Sequence, residues 1–287
     1  MQADAITKAL VIGGGTMGNG IAQVLAQAGI ETVLADIDQG VLDRALANIT
    51  RNLDKGVEKG KVAQADRDAA LGRLSLATDA CAASDGVQCV IEAVPEKLEL
   101  KTAILKPLGE RLGPDVLIAS NTSSLSLTAL AGALPHPERV VGMHFFNPVH
   151  IMKLVEVVRA DQSSDAAVAC TVGLSQRLRK EPIVVRDRPG FASSRLGIAI
   201  GLEAMRMVEE EVASAEDIDK AMTLGYGFPM GPLRLTDLVG LDVRLSIADY
   251  LTETLGPRFT PPQLLRDKVA RGELGKKSGQ GFYDWSE

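Results

Sequence analysis

Short apolar runs alternate with stretches of helical periodicity through the first two thirds of the chain. The runs lie at residues 9–12, 32–36, 89–94, 116–120, 140–145, 153–158 and 182–185, and each predicts a β-strand. Helical periodicity fills most of the intervals, with a long helix from about residue 41 to residue 60. Because the strands are apolar throughout and are separated by helices, they predict a largely parallel, doubly wound α/β sheet covered on both faces.

The pattern changes near residue 187, after which no convincing strand appears. A helical stretch follows Pro189 and continues to about residue 212, and Ser214 with acidic residues behind it predicts the start of another helix. We therefore predict an α/β domain over residues 1–187 and an all-α domain over residues 188–287. The glycine-rich tail of residues 275–285 ends in aromatic side chains, so we expect it to pack against the rest of the chain.

Composition narrows the classes of function. The 287 residues are 46% hydrophobic and 24% charged, which suits two folded domains. The net charge of −6 argues against a nucleic-acid partner, since no excess of cations is present. The three cysteines have no metal-site spacing, so we expect no metal and a reducing compartment. A signal-like N-terminus and a long uncharged run are both missing from the sequence, and we expect a cytoplasmic protein without a membrane partner.

A glycine motif follows the first predicted strand and opens the next helix. Gly13, Gly15 and Gly18 have the spacing that permits a tight turn, the approach of a pyrophosphate and close packing of helix on strand. Asp36 ends the second predicted strand, where its carboxylate would accept hydrogen bonds from the hydroxyl groups of the adenosine ribose and repel a 2′-phosphate. The motif predicts a Rossmann-type domain that binds NAD. We assign to this cofactor Gly13, Gly15, Thr16, Met17, Gly18 and Asp36.

Two of the three histidines fall within residues 144–158. His144 ends a predicted strand in the second half of the sheet, where the carboxyl ends of strands gather ligands. Glu156 lies between valines in the following strand, and a carboxylate there is costly unless it is paired. Histidine is the natural acid–base group near neutral pH. The Asn147-Pro148 turn joins the two strands, so we predict a dyad of His144 and Glu156.

Seven segments match one enzyme family, in family order from the first strand to the C-terminus. They are V-I-G-G-G-T-M-G, I-E-A-V-P-E-K-L-E-L-K, S-N-T-S-S-L, H-F-F-N-P-V-H-I-M-K-L-V-E-V-V, P-G-F-A-S-S-R, A-M-T-L-G-Y-G-F-P-M-G-P and G-Q-G-F-Y. Through them the chain resembles the 3-hydroxyacyl-CoA dehydrogenases in their short single-function form. The resemblance implies reversible, NAD-dependent oxidation of an (S)-3-hydroxyacyl-CoA to a 3-oxoacyl-CoA, as in fatty-acid β-oxidation.

The resemblance also implies catalytic roles for individual residues. His144 would be the general base that takes the proton of the 3-hydroxyl group, and Glu156 would orient it and stabilise its cationic form. Ser123 would hydrogen-bond the substrate oxygen that gains or loses the proton, and Asn147 is assigned to the substrate as well.

Further matching positions belong to the nicotinamide-ribose end of the cofactor. They are Asn121, Glu96 and Lys101. Taken alone, Glu96 and Lys101 could instead belong to an ordinary solvated turn of a helix.

Two positions depart from the family pattern. Ser194 stands where the family commonly has an asparagine that meets the substrate, and a serine reaches less far. We assign Ser194 to the catalytic site with this reservation about its reach. His150 stands where the family often has proline, so it is a second imidazole that only geometry can exclude as the base.

Coenzyme A needs cations for its phosphates. Arg51, Lys55 and Lys59 recur every four residues along one stripe of the long predicted helix. Lys59 matches a family position near the phosphate end of the coenzyme, and we assign Lys55 and Lys59 to the substrate. Asp54 and Glu58 interleave with them, so a mixed solvated face explains the stripe equally well.

Alternatives from other classes remain open at this point. A β-hydroxyacid dehydrogenase acting on a free acid would need a glycine-rich helix with a catalytic lysine, and the sequence has no such run. A cofactor-binding sensor or a structural protein without activity would not need the dyad. Within the resembled family, 3-hydroxybutyryl-CoA and the dicarboxylic 3-hydroxyadipyl-CoA both fit. The single copy of A-M-T-L-G-Y-G-F-P-M-G-P implies a homodimer formed through the helical domain.

Overall fold

A computed structural model describes residues 1–286. The packing of the chain divides it into two compact units, Met1–Arg188 and Pro189–Glu287. The division falls next to the position at which strand-like runs cease in the sequence.

The first unit is built on one eight-stranded sheet. Its strands are β1 (Lys8–Ile12), β2 (Glu31–Ala35), β3 (Leu74–Ala77), β4 (Cys89–Glu92), β5 (Leu117–Ser120), β6 (Val140–Phe145), β7 (Leu154–Arg159) and β8 (Glu181–Arg186). They lie in the order β3-β2-β1-β4-β5-β6-β7-β8. All neighbours are parallel except β6 and β7, which are antiparallel. The prediction of a largely parallel sheet is confirmed.

Helices connect these strands and complete the doubly wound α/β architecture. They are α1 (Thr16–Gln27), α2 (Gln39–Glu58), α3 (Gln64–Gly72), α4 (Leu98–Arg111), α5 (Leu127–Gly132) and α6 (Asp165–Arg177). Asp38 caps α2 by accepting from the backbone N–H groups of Gly40 and Val41. The strand β3 was not predicted, because it is four residues long, lies at the sheet edge and contains no fully buried residue.

The strand order reverses between β1 and β4. The connections leaving the carboxyl ends of these two strands therefore diverge to opposite sides and open a crevice, which is where ligands bind in folds of this class. The glycine motif follows β1, and the segment from residue 92 to residue 101 follows β4. The topology thus brings the two segments to one edge of the sheet.

The second unit is helical, as predicted. Its helices are α7 (Ser193–Glu209), α8 (Ala215–Lys220), α9 (Pro232–Val239), α10 (Leu241–Leu255) and α11 (Gln263–Ala270), and one π-helical turn covers Ala221–Gly225. Ser214 caps α8 by accepting from the N–H of Asp217, which confirms the predicted helix start. The described part of this unit contains no β-strand, and its tail forms only isolated β-bridges.

The C-terminal tail packs onto the helices, as its aromatic residues predicted. The buried carboxylate of Asp237 on α9 accepts from the backbone N–H groups of Phe282 and Tyr283 and from the indole N–H of Trp285, each at 2.9 Å. A side chain at Gly281 would overlap the Asp237 carboxylate, at 2.3 Å from its nearest oxygen. One buried carboxylate therefore accepts hydrogen bonds from three residues of the tail.

Candidate active site

The loop after β1 has the backbone that its glycines predict. Gly13 has φ +100°, and a Cβ there would lie 2.7 Å from the carbonyl oxygen of Ala93. A Cβ at Gly18 would lie 1.7 Å from the carbonyl oxygen of Gly13, so only glycine lets α1 begin this close to β1. Gly15 differs, because a Cβ there would meet none of the described atoms within 4 Å. The space beside Gly15 is therefore open.

The helix that starts at this loop presents an uncapped N-terminus. Gly15 is the N-cap residue of α1 and no side chain caps it, nor is any acidic residue in the first turn. Unpaired N–H groups and the positive end of the helix dipole therefore face outward, which suits a bound phosphate. Asp36 follows β2 and accepts from the N–H of Gly14 at 2.8 Å, so it is fixed beside the loop.

A buried ion pair lies at the carboxyl end of β4. Lys101 on α4 is 1% exposed, and its Nζ lies 2.7 Å from Oε1 of Glu92, which is 0% exposed. The same ammonium lies 3.2 Å from Oε2 of Glu96, and the second oxygen of Glu92 accepts from Ser120 Oγ at 2.6 Å. Lys101 is therefore part of a buried network and not of a solvated helix turn.

Glu96 organises the segment that follows β5. Its Oε1 accepts from the hydroxyl of Thr122 at 2.6 Å and from the backbone N–H groups of Ser123 and Ser124 at 2.8 Å and 3.0 Å. Burial raises the pKa of this carboxyl, but the charge of Lys101 and the hydrogen bonds from Thr122 and Ser123 outweigh it and hold the pKa below its ordinary value. Glu96 is thus anionic at neutral pH and fixes the backbone of Ser123.

The predicted dyad forms across the antiparallel strands. His144 on β6 and Glu156 on β7 are directly opposite in register, and His144 Nδ1 lies 2.7 Å from Glu156 Oε2. The glutamate is 0% exposed and the histidine 7%. The side-chain oxygen of Asn121 accepts from the N–H of Phe145 at 2.9 Å, so the segment after β5 is tied to the strand that carries His144. The short connection after Asn147 returns the chain so that the two side chains meet.

His150 lies elsewhere, on a cleft of about 740 Å³ beside α2. Partial burial and the charge of Lys180 lower the pKa of His150. No carboxylate among the described residues pairs with this imidazole, whereas His144 has one. The cleft also contains both lysines assigned to the substrate, and its cationic lining residues are Lys55, Lys59, Lys61, Lys153, Arg177, Arg179 and Lys180, against the single acid Asp66.

Comparison with known proteins decides the family. The family model for the 3-hydroxyacyl-CoA dehydrogenase NAD binding domain matches residues 8–188, and the model for the 3-hydroxyacyl-CoA dehydrogenase C-terminal domain matches residues 190–285. The chain belongs to the 3-hydroxyacyl-CoA dehydrogenases. It is an NAD-dependent oxidoreductase.

Relatives resemble this dehydrogenase over its full length. The 3-hydroxybutyryl-CoA dehydrogenase of Mycobacterium tuberculosis is 43% identical over 287 residues, 99% of this chain and 100% of that protein. The 3-hydroxyadipyl-CoA dehydrogenase of Escherichia coli K12 is 43% identical over 96% of this chain, which spans 58% of that protein. The crystal structure of (S)-3-hydroxybutyryl-CoA dehydrogenase from Ralstonia eutropha superimposes with a TM-score of 0.95 at 40% identity, covering 99% of this chain and 100% of that one.

The residues present fit NAD. The open space at Gly15 and the uncapped N-terminus of α1 suit the pyrophosphate, and the acid Asp36 at the end of β2 suits a ribose without a 2′-phosphate. Among residues 1–286, no cluster of His, Cys, Asp and Glu side chains could hold a metal ion, and no helix is long and apolar enough to cross a bilayer.

The structure brings most of the predicted residues of the dehydrogenase to the carboxyl edge of the sheet and adds one that was missed. Glu92 was not predicted, although its position in the apolar strand resembles that of Glu156 and the same reasoning would have found it. Asn147 is exposed at the turn after β6, and Ser194 lies in the first turn of α7 in the second unit. Lys153 and Lys180 on the cleft were also missed, because they reach it from distant segments.

Proposed function

We propose that this dehydrogenase oxidises a short-chain (S)-3-hydroxyacyl-CoA, with 3-hydroxybutyryl-CoA as the first substrate to test, and that His144 is its general base. The observation that carries the proposal is the buried contact of His144 with Glu156 at the carboxyl end of β6. The names of the relatives support the choice of substrate.

The dyad determines which nitrogen of His144 acts. Nδ1 donates to the carboxylate of Glu156, so the lone pair of the neutral ring lies on Nε2. In the oxidation, Nε2 takes the proton of the 3-hydroxyl while the hydrogen on C3 leaves with its electron pair. NAD⁺, when bound, accepts that hydride. The imidazolium formed is stabilised by Glu156, and in the reverse direction it returns the proton to the oxygen of the 3-oxo group.

Other side chains position the reactants. The network of Glu92, Lys101 and Ser120 fixes the end of β4 against β5, and Glu96 fixes the backbone of Ser123. We assign to Ser123 the hydrogen bond to the reacting oxygen, and to Asn121, Glu96 and Lys101 the ribose next to the nicotinamide. Asn147 and Ser194 are assigned to the substrate.

The cleft beside α2 is our candidate for the coenzyme A phosphates. Lys55 and Lys59 line it together with five further cations and one acid, which makes it strongly attractive to anions. The segment that contributes Lys153 to the cleft leads directly into β7 and Glu156. Lys180 anchors the same segment, because its ammonium donates to the carbonyl oxygens of Val149 and Met152.

We further propose a homodimer formed through the helical unit and a cytoplasmic location. Large apolar side chains of this unit are exposed, Leu224 by 83% and Tyr226 by 79%, and both belong to the segment that implies pairing in the family. Light scattering that finds a monomer at micromolar concentration would overturn the dimer. Three free thiols, two of them buried, suit a reducing compartment.

The activity is tested by following NADH absorbance with acetoacetyl-CoA, with and without the protein. We expect NADH oxidation that requires both the protein and the thioester. Failure to oxidise NADH with any 3-oxoacyl-CoA would leave a cofactor-binding sensor as the function.

A further inference from the structure

His150 is an imidazole that the dyad does not use, and it lines the cationic cleft beside α2. It belongs to the turn between β6 and β7, which the N–H of Met152 closes by donating to the carbonyl oxygen of Pro148 at 2.9 Å. The ammonium of Lys180 donates to the carbonyl oxygens of Val149 and Met152. These two carbonyl groups flank His150 in the chain, so its backbone is fixed at the wall of the cleft.

The cations of the cleft have no counter-charge in the described protein. They reach it from α2, from α6 and from the connections that follow α2, β6 and α6, and they are Lys55, Lys59, Lys61, Lys153, Arg177, Arg179 and Lys180. None of them forms an ion pair with a carboxylate of residues 1–286, and neither does the single lining acid, Asp66, with a cation. Like charges that share a cleft repel one another, so a bound anion is attracted by all of them.

Without a ligand the imidazole of His150 is neutral at pH 7. Partial burial and the charge of Lys180 lower its pKa below the ordinary 6.5, and no carboxylate among residues 1–286 pairs with it. A phosphate beside the ring would act in the opposite direction, because a neighbouring anion favours the charged form. The imidazolium offers two N–H donors, and a hydrogen bond between a cation and a phosphate oxygen is stronger than a neutral one.

We propose that the imidazole of His150 binds a phosphate of the coenzyme in this cleft, and that it does so as a cation. This role rests on the proposed function, which assigns the cleft to coenzyme A. It makes His150 a residue that couples substrate binding to pH, and it leaves the proton transfer of the reaction to His144.

Coenzyme binding and protonation of His150 are coupled with a definite sign. The phosphate raises the pKa of the imidazole, so the complex takes up a proton in the interval between the free and the bound pKa. The contribution of His150 to affinity is complete below the free pKa and is lost as the pH rises through the bound pKa. The affinity that His150 adds therefore increases as the pH falls.

Calorimetric titration with acetyl-CoA measures this coupling, because that thioester has no 3-oxo group to reduce. Titrations at neutral pH in two buffers of different ionisation enthalpy give the number of protons taken up. We expect the wild type to take up more protons than His150→Gln, by up to about one per site. Comparing the two proteins at the same pH cancels the titration of the coenzyme's own phosphate, whose second pKa is about 6.

The dissociation constants give a second readout of the same titrations. We expect His150→Gln to bind acetyl-CoA about 3- to 10-fold more weakly near pH 6, between the effects of an exposed ion pair and of a buried charged hydrogen bond. The two constants should converge at about pH 8.5, where the imidazole is neutral in both states. His150→Lys should keep the affinity without the pH dependence, since an ammonium stays charged throughout.

Three controls isolate the contact with the coenzyme. His136→Asn replaces an imidazole that is 49% exposed and lies at φ +55°, a backbone that asparagine tolerates, and it should match the wild type. NADH should bind equally to the wild type and to His150→Gln, because its pyrophosphate is assigned to the N-terminus of α1. Acetoacetyl-pantetheine carries no phosphate, so both proteins should reduce it with the same kcat/KM.

The outcomes separate this role of His150 from the proposed function. Absence of turnover with acetoacetyl-CoA in the wild type would refute the proposed function. Turnover together with equal proton uptake in the wild type and His150→Gln would refute the role of His150 alone. A difference that appears with NADH and not with acetyl-CoA would also refute it, and would assign the imidazole to the phosphates of the cofactor. An equal loss with acetoacetyl-pantetheine would show that His150 acts on the fold and not on a phosphate.

Discussion

Replacing Lys101 with methionine tests the buried network at the end of β4. The change keeps the length of the side chain but removes an ammonium that lies 2.7 Å from Glu92 and 3.2 Å from both Glu96 and the carbonyl oxygen of Val94. Glu92 is 0% exposed and would keep only the hydroxyl of Ser120 and the N–H of Val94 as donors. Its carboxylate would then be buried without a counter-charge.

The expected loss of stability is large because one charge is left behind. Breaking a buried pair by removing one partner costs about 3–5 kcal/mol. The double variant Lys101→Met with Glu92→Gln removes both charges; the amide oxygen of glutamine can still accept from the N–H of Val94, and its NH2 group can donate to the hydroxyl oxygen of Ser120. We therefore expect the double variant to be more stable than Lys101→Met alone.

Urea unfolding followed by far-UV circular dichroism measures these differences, and Lys106→Met on the exposed side of α4 is the matched control. The single variant at residue 101 should also raise KM for NAD, because the network fixes Glu96. If Lys101→Met and Lys106→Met both cost less than about 1 kcal/mol, as surface pairs do, the buried pair does not exist as described.

Three further predictions concern the cofactor loop, pH and the cleft. Gly15→Ala should weaken NADH binding, measured by fluorescence titration, while leaving the melting temperature nearly unaltered, whereas Gly18→Ala should lower both because its Cβ would overlap Gly13. The folded state holds the pKa of Glu96 below its ordinary 4.5, so the ionised carboxylate stabilises the fold fully above pH 4.5 and loses this contribution as the pH falls through the lower folded pKa. Glu96→Gln should therefore flatten the acid side of the plot of unfolding free energy against pH. An unaltered acid side would contradict the lowered pKa of Glu96. Lys59→Ala should raise KM for acetoacetyl-CoA with kcat unchanged, and a fall in kcat instead would remove the cleft from coenzyme binding.

Much of the fold could be predicted because continuous apolar runs leave few alternatives to buried parallel strands. The edge strand β3 could not, since its half-exposed residues carry no such pattern. The contact of His144 with Glu156 was predictable for a physical reason: a carboxylate between valines needs a partner, and the two strands are consecutive in the chain and pair in the register that places His144 opposite it.

Features that combine residues from distant segments could not be predicted from the sequence. The cationic cleft depends on Lys153 and Lys180 reaching the face of α2, and a stripe of lysines interleaved with acids does not reveal that. Arg244 looks like any polar residue of an amphipathic helix until the packing of α7 against α10 buries it. The packing of distant elements, and not the local sequence pattern, determines where these charged side chains lie and how far they are buried.

The most direct test of the account is the turnover number of His144→Gln beside that of His150→Gln, with 3-hydroxybutyryl-CoA and NAD⁺ at saturation. His144 is paired with Glu156 at the strand end, whereas His150 lies on the cleft without a carboxylate. We expect His144→Gln to lower kcat by about 10²- to 10⁴-fold, the contribution of a general base, and His150→Gln to retain most of it. Loss of turnover in His150→Gln with activity kept in His144→Gln would contradict the assignment of the base.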